Sequence, residues 1–254
     1  MLSPARRHRL KTLAAKAAAN VENEFGGVRE DASVYMLQLA ELKNDQSLLR
    51  NIKSDIERAE HKAKLIPKYM PYVDGVLSIS DRIPHMKDQI ITTIMIWCFD
   101  AGMFEDGLRI AEYALKHGID SPDSFSRDTA SIIAEEIGNA AKAAHTAGNS
   151  FDLSILEKAN TLTSAFSMHD QIRAKLYVAL GRSYFQKELY SFAINFFQRA
   201  IRHNENCGCK QELQKAERLL KKQLEDTPPE PLFNADGSPV VDDYGNQVFG
   251  NMSS

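Results

Sequence analysis

Residues 171–203, QIRAKLYVALGRSYFQKELYSFAINFFQRAIRH, decide the fold. Apolar residues recur at helical spacing on both sides of a short polar turn, which predicts two antiparallel helices. Gly181 and Ala193 are small where the two helices would cross closely, and Phe197 would fill the space beside them. The pattern therefore predicts a tightly packed helix pair near the C-terminal end of an all-α chain.

The spacing inside this stretch matches a tetratricopeptide helix pair. The matching positions are Tyr177, Leu180, Gly181, Tyr184, Tyr190, Ala193, Phe197 and Ala200. An earlier stretch, residues 90–118, predicts a helical hairpin that turns at Gly102 and ends at Gly118. It repeats part of the pattern at Gly102, Phe104, Gly107, Ala111 and Ala114. Two such units separated by other helices do not make a regular solenoid, which needs about three or more stacked repeats.

Outside these hairpins, apolar residues at helical spacing predict helices at about 33–66, 130–147, 152–166 and 209–224. The helix at 33–66 carries an imperfect seven-residue repeat: Tyr35, Leu42, Leu49, Ile56 and Ala63. This repeat favours a bundle helix and leaves an intersubunit coiled coil open. Pro67 and Pro71 predict that the chain turns directly after it. Residues 121–130 are a predicted loop.

Composition bounds the class of protein. The chain has 254 residues, of which 43% are hydrophobic and 26% charged, and its net charge is −3. Three cysteines, Cys98, Cys207 and Cys209, are too few for a disulfide framework and indicate a reducing compartment. No apolar stretch is long enough to span a bilayer, and no signal peptide is recognisable. We expect a protein without a membrane partner.

The N-terminal segment is the clearest functional feature. Ser3-Pro4 predicts a helix start, and Gly26-Gly27 predicts its end. The helix carries no acid before Glu22, and its cations are Arg6, Arg7, Arg9, Lys11 and Lys16. Cations at the positive end of a helix dipole are unfavourable unless phosphates bind there. These five residues are therefore the predicted DNA-binding residues, with a merely solubilising terminus as the alternative.

No catalytic constellation is evident in the sequence. There is no phosphate-binding glycine loop and no recognisable hydrolase or zinc motif, so we expect no catalytic residues, no metal and no cofactor. His203, Cys207 and Cys209 leave a soft-metal site open, although their spacing is unusual for zinc. The acidic pairs Glu105-Asp106, Glu135-Glu136 and Asp242-Asp243 are adjacent in sequence, so their side chains should diverge.

Several phrases agree in order with one known family: SPARRH at 3–8, LIPKYMPYVDGVL at 65–77, IMIWCFDAGMFEDGLRIAEYALKHG at 94–118, and the later helix pair. The sequence resembles the terminase small subunit, also called the terminase endonuclease subunit, of Peduovirus-type tailed phages. The resemblance implies a subunit that binds viral double-stranded DNA at the cos region. It also implies a terminase large (ATPase) subunit as partner, a homo-oligomeric ring and a location in the host cell cytoplasm.

Four regions follow: a basic N-terminal helix or arm (1–27), a helical core and oligomerisation region (28–150), a tetratricopeptide-like region (151–225) and an acidic tail (226–254). The tail departs from the family, whose C-terminus is basic, and favours contact with protein. Disorder or a hairpin in the tail remain open. Two other functions also remain open: a metal-dependent DNA endonuclease in its own right, and a tetratricopeptide-type adaptor that binds only protein.

Overall fold

The computed structural model describes residues 3–19, 30–79, 88–119, 127–226, 230–231, 238 and 249–250. These residues form an all-α structure, as the sequence predicts. Its helices are α1 (Pro4–Ala19), α2 (Glu30–Arg50), α3 (Asp55–Leu77), α4 (Gln89–Asp100), α5 (Phe104–Lys116), α6 (Thr129–Thr146), α7 (Leu153–Thr163), α8 (Asp170–Gln186), α9 (Tyr190–His203) and α10 (Lys210–Asp226). Two short strands, β1 (Glu230–Pro231) and β2 (Phe249–Gly250), pair antiparallel.

The helices share one continuous hydrophobic core. Its buried residues run from Ala14 in α1 to Cys209 just before α10, and they include side chains on both sides of residue 150. α4 packs against α3 and α5, and α8 packs against α6, α7 and α9. The division at residue 150 stays a prediction. The predicted end of the first helix at Gly26-Gly27, the loop at 121–126 and most of the acidic tail lie outside the described residues.

The hairpin at 90–118 is confirmed. α4 and α5 are joined by a turn in which Gly102 has φ +73°, and the Met103 N–H donates to the Cys98 carbonyl over 2.8 Å. α5 ends at Lys116, and Gly118 follows directly after its cap residue with φ +60°. Glycine is favoured at positive φ because it has no β-carbon that would clash with the backbone. The sequence signal and the geometry therefore agree at both predicted positions.

The predicted helix pair at 171–203 is also present, as α8 and α9. The ring of Phe197 lies on the bare backbone of Gly181, where an added β-carbon would be 2.5 Å from the ring. Ala193 and Ala200 are fully buried beside it. The close packing of this pair is thus established, while its relation to tetratricopeptide repeats stays a prediction.

The single helix predicted over 33–66 is wrong. The chain forms α2 and α3 instead, separated by a break at 51–54. Ser54 caps α3, because its hydroxyl accepts a hydrogen bond from the Glu57 N–H over 3.3 Å. This Ser-x-x-Glu arrangement is a helix-start signal that competes with the seven-residue repeat. Leu42 and Leu49 are buried in the chain's own core, which matches a bundle helix, whereas Ile56 is 75% exposed.

The predicted turn at Pro67 and Pro71 is wrong as well, because both prolines lie inside α3. Each proline in a helix interior removes a hydrogen bond and costs about 3 kcal/mol. Tertiary contacts offset this cost, because two tyrosines of the segment are buried and hydrogen-bonded. The Tyr69 hydroxyl donates to the Asp45 carboxylate over 2.5 Å, and the Tyr72 hydroxyl donates to Asp88 over 3.0 Å.

The α8–α9 turn repeats the α4–α5 turn with a different residue at its critical position. Glu188 has φ +60°, and the Leu189 N–H donates to the Tyr184 carbonyl over 3.0 Å. This geometry corresponds to Gly102 and Met103 in the earlier turn. For a residue with a β-carbon, this conformation costs about 1–2 kcal/mol.

We therefore expect Glu188→Gly to raise the free energy of unfolding by about 0.5–1 kcal/mol. Gly102→Ala is the matched control, and it should lower the free energy of unfolding by about 1 kcal/mol. Chemical denaturation of the two variants and the parent chain measures both values. A loss of stability in Glu188→Gly would contradict the assigned turn geometry.

Candidate nucleic-acid interface

The first helix begins where its sequence predicts. The Ser3 hydroxyl accepts a hydrogen bond from the Arg6 N–H over 3.3 Å, and the Ser3 carbonyl accepts from the Arg7 N–H over 2.9 Å. Pro4 occupies the first helical position, where its missing N–H is not needed. No acidic residue lies in the first turn. The N-terminus of α1 therefore combines the positive end of a helix dipole with several cations and no acid.

The cations of α1 are accessible. Arg6, Arg7, Arg9 and Lys11 are all exposed. Arg6, Arg9 and Lys11 form no ion pair with any residue in the described part of the chain. Lys16 lies in α1, and its side chain is outside the described part. Four of the five predicted DNA-binding residues are thus exposed near the N-terminus of one helix.

α1 is docked on the body of the protein and does not stand apart from it. Ala14 is fully buried, and α1 packs against α3 and α2. The contact with α3 is made at Gly75, where an added β-carbon would lie 2.4 Å from the Lys11 carbonyl oxygen and 2.8 Å from the Ala14 β-carbon. Only a glycine allows the two helices to approach this closely. Gly75 therefore positions the basic helix, a role that the sequence analysis missed.

The electrostatics of this helix end favour an anionic ligand. The N-terminus of a helix carries about half a positive charge, and each cation placed there costs a few tenths to about 1 kcal/mol. A phosphate removes this repulsion, because its negative charge is attracted both to the helix end and to the exposed cations. Arginine can also bind phosphate oxygens through two hydrogen bonds at once. The cations at the N-terminus of α1 are therefore suited to binding a phosphate backbone.

The acidic pair Glu135-Glu136 is engaged in structural contacts. Glu135 accepts hydrogen bonds from Arg127 over 2.7 Å and from Lys175 over 3.0 Å. Burial pushes the pKa of Glu135 upward, but these two cations outweigh it and hold the pKa below its ordinary value. Burial and the nearby Asp100 raise the pKa of Glu136. The two adjacent carboxylates thus share Arg127, which lies 3.9 Å from Glu136, whereas Lys175 pairs with Glu135.

The other candidate ligands do not come together either. The His203 Nδ1 lies 2.6 Å from the Asp170 carboxylate, whereas Cys207 and Cys209 are close to each other. Over the described ranges, no three His, Cys, Asp or Glu side chains form a group that could hold a metal ion. Asp242-Asp243 lies outside the described residues. Expected absences of metal, cofactor and catalytic residues remain predictions.

A cavity of about 440 Å³ opens between α6, α8 and α10. In its wall, Arg182 and Glu212 form a bidentate ion pair with nitrogen–oxygen distances of 2.7 and 3.1 Å. Burial, followed by the charge of Arg182, lowers the pKa of His145 in its wall. Arg182 and Glu212 thus pair with each other in this cavity, and Lys215 in its wall lies over the ring of Phe185.

Comparison with known proteins gives the family. The sequence profile of a family described as "Phage small terminase subunit" matches residues 39–171. The chain is 35% identical over 228 residues, 90% of each chain, to a protein named "Terminase, endonuclease subunit" from Escherichia phage P2. It is 22% identical over 141 residues to a protein named "Probable terminase, endonuclease subunit" from Haemophilus phage HP1, covering 55% of this chain and 49% of the relative.

No solved structure shows a significant match. Among the described helices, none has the length and apolar character required to cross a membrane. The identity to the P2 protein extends over nearly the whole of both chains, and the profile match covers more than half of this one. The chain therefore belongs to the phage small terminase subunit family.

Proposed function

We propose that this chain is a DNA-recognition and assembly subunit that binds viral double-stranded DNA at the cos region. It would work with the terminase large (ATPase) subunit in cutting the genome and packaging it into procapsids. The observation that carries this proposal is the docking of α1 through Gly75 and Ala14, which presents Arg6, Arg7, Arg9 and Lys11 on a fixed helix. The family membership and the family resemblance support the packaging role.

Two features of α1 favour contact with the phosphate backbone over base reading. The exposed cations lie near the helix N-terminus, where phosphate binds best. Arg6, Arg7, Arg9 and Lys11 also spread around the helix, so they cannot all enter one groove along a single face. Phosphate contacts fix position on DNA and carry no direct sequence information. Recognition of cos would then depend on DNA shape or on other surfaces.

The proposed ring uses α2. Its outer face is formed by Met36, Leu37, Ala40, Asn44 and Leu48, which follow one another at helical spacing. Three large apolar side chains on this face are 61%, 68% and 65% exposed: Met36, Leu37 and Leu48. Apolar residues at this spacing form the seam between two helices, and a single polar residue in the seam can fix the register. We propose a second copy of the chain as the partner of this face.

The large subunit and the acidic tail complete the proposal. After Lys222 the chain contains no Lys or Arg, and its last residues carry several acids. A tail of this charge would be repelled by DNA, so we propose that residues 226–254 contact the large subunit. The antiparallel pair of β1 and β2 falls within this segment.

Endonuclease activity is the competing function, because the printed names of both relatives include it. A metal nuclease needs carboxylates that converge on its ions. In the part of the chain that the structure describes, Glu135 is instead bound by Arg127 and Lys175. Incubation of the purified chain with cos DNA and Mg²⁺ or Mn²⁺ tests the alternative. Nicking that is lost on replacing carboxylates would favour the nuclease.

The DNA-binding proposal predicts a specific change in salt dependence. Replacing Arg6, Arg7, Arg9 and Lys11 together by alanine should weaken cos DNA binding. It should also make the slope of log affinity against log salt less negative by about 3.6, because each phosphate contact contributes about 0.9. Fluorescence anisotropy over a salt series measures both values.

A charge-matched control replaces four exposed cations, one directly after α8 and three on α10: Lys187, Arg218, Lys221 and Lys222. This variant loses the same net charge and should keep the parent slope. An unchanged slope in the α1 variant would overturn the assignment of α1. Equal, weak binding by the parent and both variants would favour the adaptor that binds only protein.

Gly75→Ala tests whether docking of α1 matters without altering any charge. The new methyl group would overlap the backbone of α1, so we expect a loss of about 1–3 kcal/mol in stability and weaker DNA binding. Gly138→Ala is the control, because its β-carbon would meet mainly the flexible Lys175 side chain, at 3.3 Å. If Gly75→Ala displaced α1 and still bound DNA like the parent, the fixed position of α1 would be irrelevant to binding.

The oligomer proposal predicts a change in mass. Leu37→Glu combined with Leu48→Glu should shift the chain toward the monomer, because charged side chains would oppose each other in the seam. Leu224→Glu is the control, since Leu224 is 59% exposed on α10, away from α2. Light scattering measures the mass of each variant. A parent chain that is monomeric at all concentrations tested would refute the proposed seam.

A further inference from the structure

The segment between α9 and α10 brings two sulfur atoms together. The Cys207 N–H donates to the Asn204 carbonyl over 3.0 Å, which starts a tight turn. Gly208 follows with φ +82°, a conformation that side chains with a β-carbon disfavour. As a result, the Sγ atoms of Cys207 and Cys209 lie 3.3 Å apart. The sequence Cys-Gly-Cys thus forms a thiol pair, and its members are neighbours in space as well as in sequence.

The two thiols have different surroundings. Cys209 is fully buried, and its sulfur lies 3.8 Å from the carbonyl oxygen of Phe197. Burial, followed by the contact with Cys207, raises the pKa of Cys209 to about 12. Cys207 is partly exposed. The Cys207 sulfur is therefore accessible to a reagent from solution, whereas the Cys209 sulfur is a buried, protonated thiol next to it.

A metal site explains this pair poorly. Structural zinc requires four ligands, commonly cysteine and histidine. The nearest histidine in sequence, His203, has its Nδ1 against Asp170 at 2.6 Å. Within the described ranges, no third His, Cys, Asp or Glu joins the two sulfurs. Two thiols without further ligands are suited to chemistry between the sulfurs themselves.

We propose that Cys207 and Cys209 form a dithiol site that reacts with a disulfide by thiol–disulfide exchange and closes an intrachain disulfide. The Cys207 thiolate attacks one sulfur of the incoming disulfide, which breaks its S–S bond and releases the first thiolate. Cys209 then attacks the Cys207 sulfur, forms the intrachain bond and releases the second thiolate. The protons of the two cysteines end on the two released thiols, so the chain loses two electrons and the incoming disulfide gains them.

The geometry permits the second step with a small movement. A disulfide bond is about 2.05 Å long, so the sulfurs must approach each other by about 1.3 Å. The Cys209 carbonyl accepts a hydrogen bond from the Leu213 N–H over 2.9 Å in the first turn of α10. The same turn carries Glu212, the partner of Arg182. Formation of the disulfide should therefore alter the structure at the start of α10.

The test uses the full-length reduced chain and oxidised glutathione. We expect the chain to lose two hydrogen atoms in mass without retaining glutathione, and peptide mapping should find Cys207 joined to Cys209. Cys98 serves as the internal control. It is fully buried, and burial raises its pKa to about 12, so it should stay reduced in the folded chain.

Single variants separate the two roles. Cys207→Ser should abolish the reaction, because both remaining thiols, Cys98 and Cys209, are buried. Cys209→Ala should stop after the first step and accumulate one glutathione on Cys207; Cys209→Ser provides a second version if either replacement disturbs folding. The proposal is overturned if the folded parent retains both thiols, or if it accumulates a stable glutathione adduct without forming the intrachain bond. Neither outcome depends on DNA binding or on α1.

Discussion

The approach of two helices through a glycine is the constraint on which this structure depends most. The ring of Phe197 lies on Gly181 and the ring of Phe99 lies on Gly107, in each case where a β-carbon would be 2.5 Å away. The backbone of α1 meets Gly75 in the same manner. Packed interiors tolerate little change in volume, so each contact fixes the distance between its helices. Close packing against a glycine thus positions both hairpins and the basic helix.

This constraint connects the core to the functional surface. α3 has two prolines in its interior and is retained by buried tyrosines that bind Asp45 and Asp88. Gly75 lies near the C-terminal end of α3, so the position of α1 depends on the helix that those tyrosines stabilise. In a ring, the same placement would repeat in every copy. Weak phosphate contacts in each copy could then add to a strong total affinity.

Local signals predicted the helix pairs well, because the deciding residues lie close together in sequence. Gly102 and Gly118 mark turns whose geometry favours glycine, and Gly181 faces an aromatic ring one helix later. The break at Ser54 was also signalled locally, by Glu57 three residues on. The seven-residue repeat runs through the break and concealed it. In that case two valid patterns overlapped, and the cap determined the structure.

Other features could not be predicted from neighbouring residues. Pro67 and Pro71 locally favour a turn, and the tertiary partners of Tyr69 and Tyr72 override that preference. The exposed cations of the candidate site were identified from sequence because a run of arginines is visible by itself. The docking of α1 was missed because Gly75 and Ala14 are far apart in the chain.

The buried side of α1 has a practical consequence for work with shortened chains. Removing the N-terminal residues would take away Arg6 and its neighbours, but it would also uncover the apolar surface of α3 that Ala14 now covers. Newly exposed apolar patches promote aggregation. A truncated chain that failed to bind DNA would therefore not distinguish lost charge from lost solubility. Only substitutions that leave the covered surface intact can separate the two.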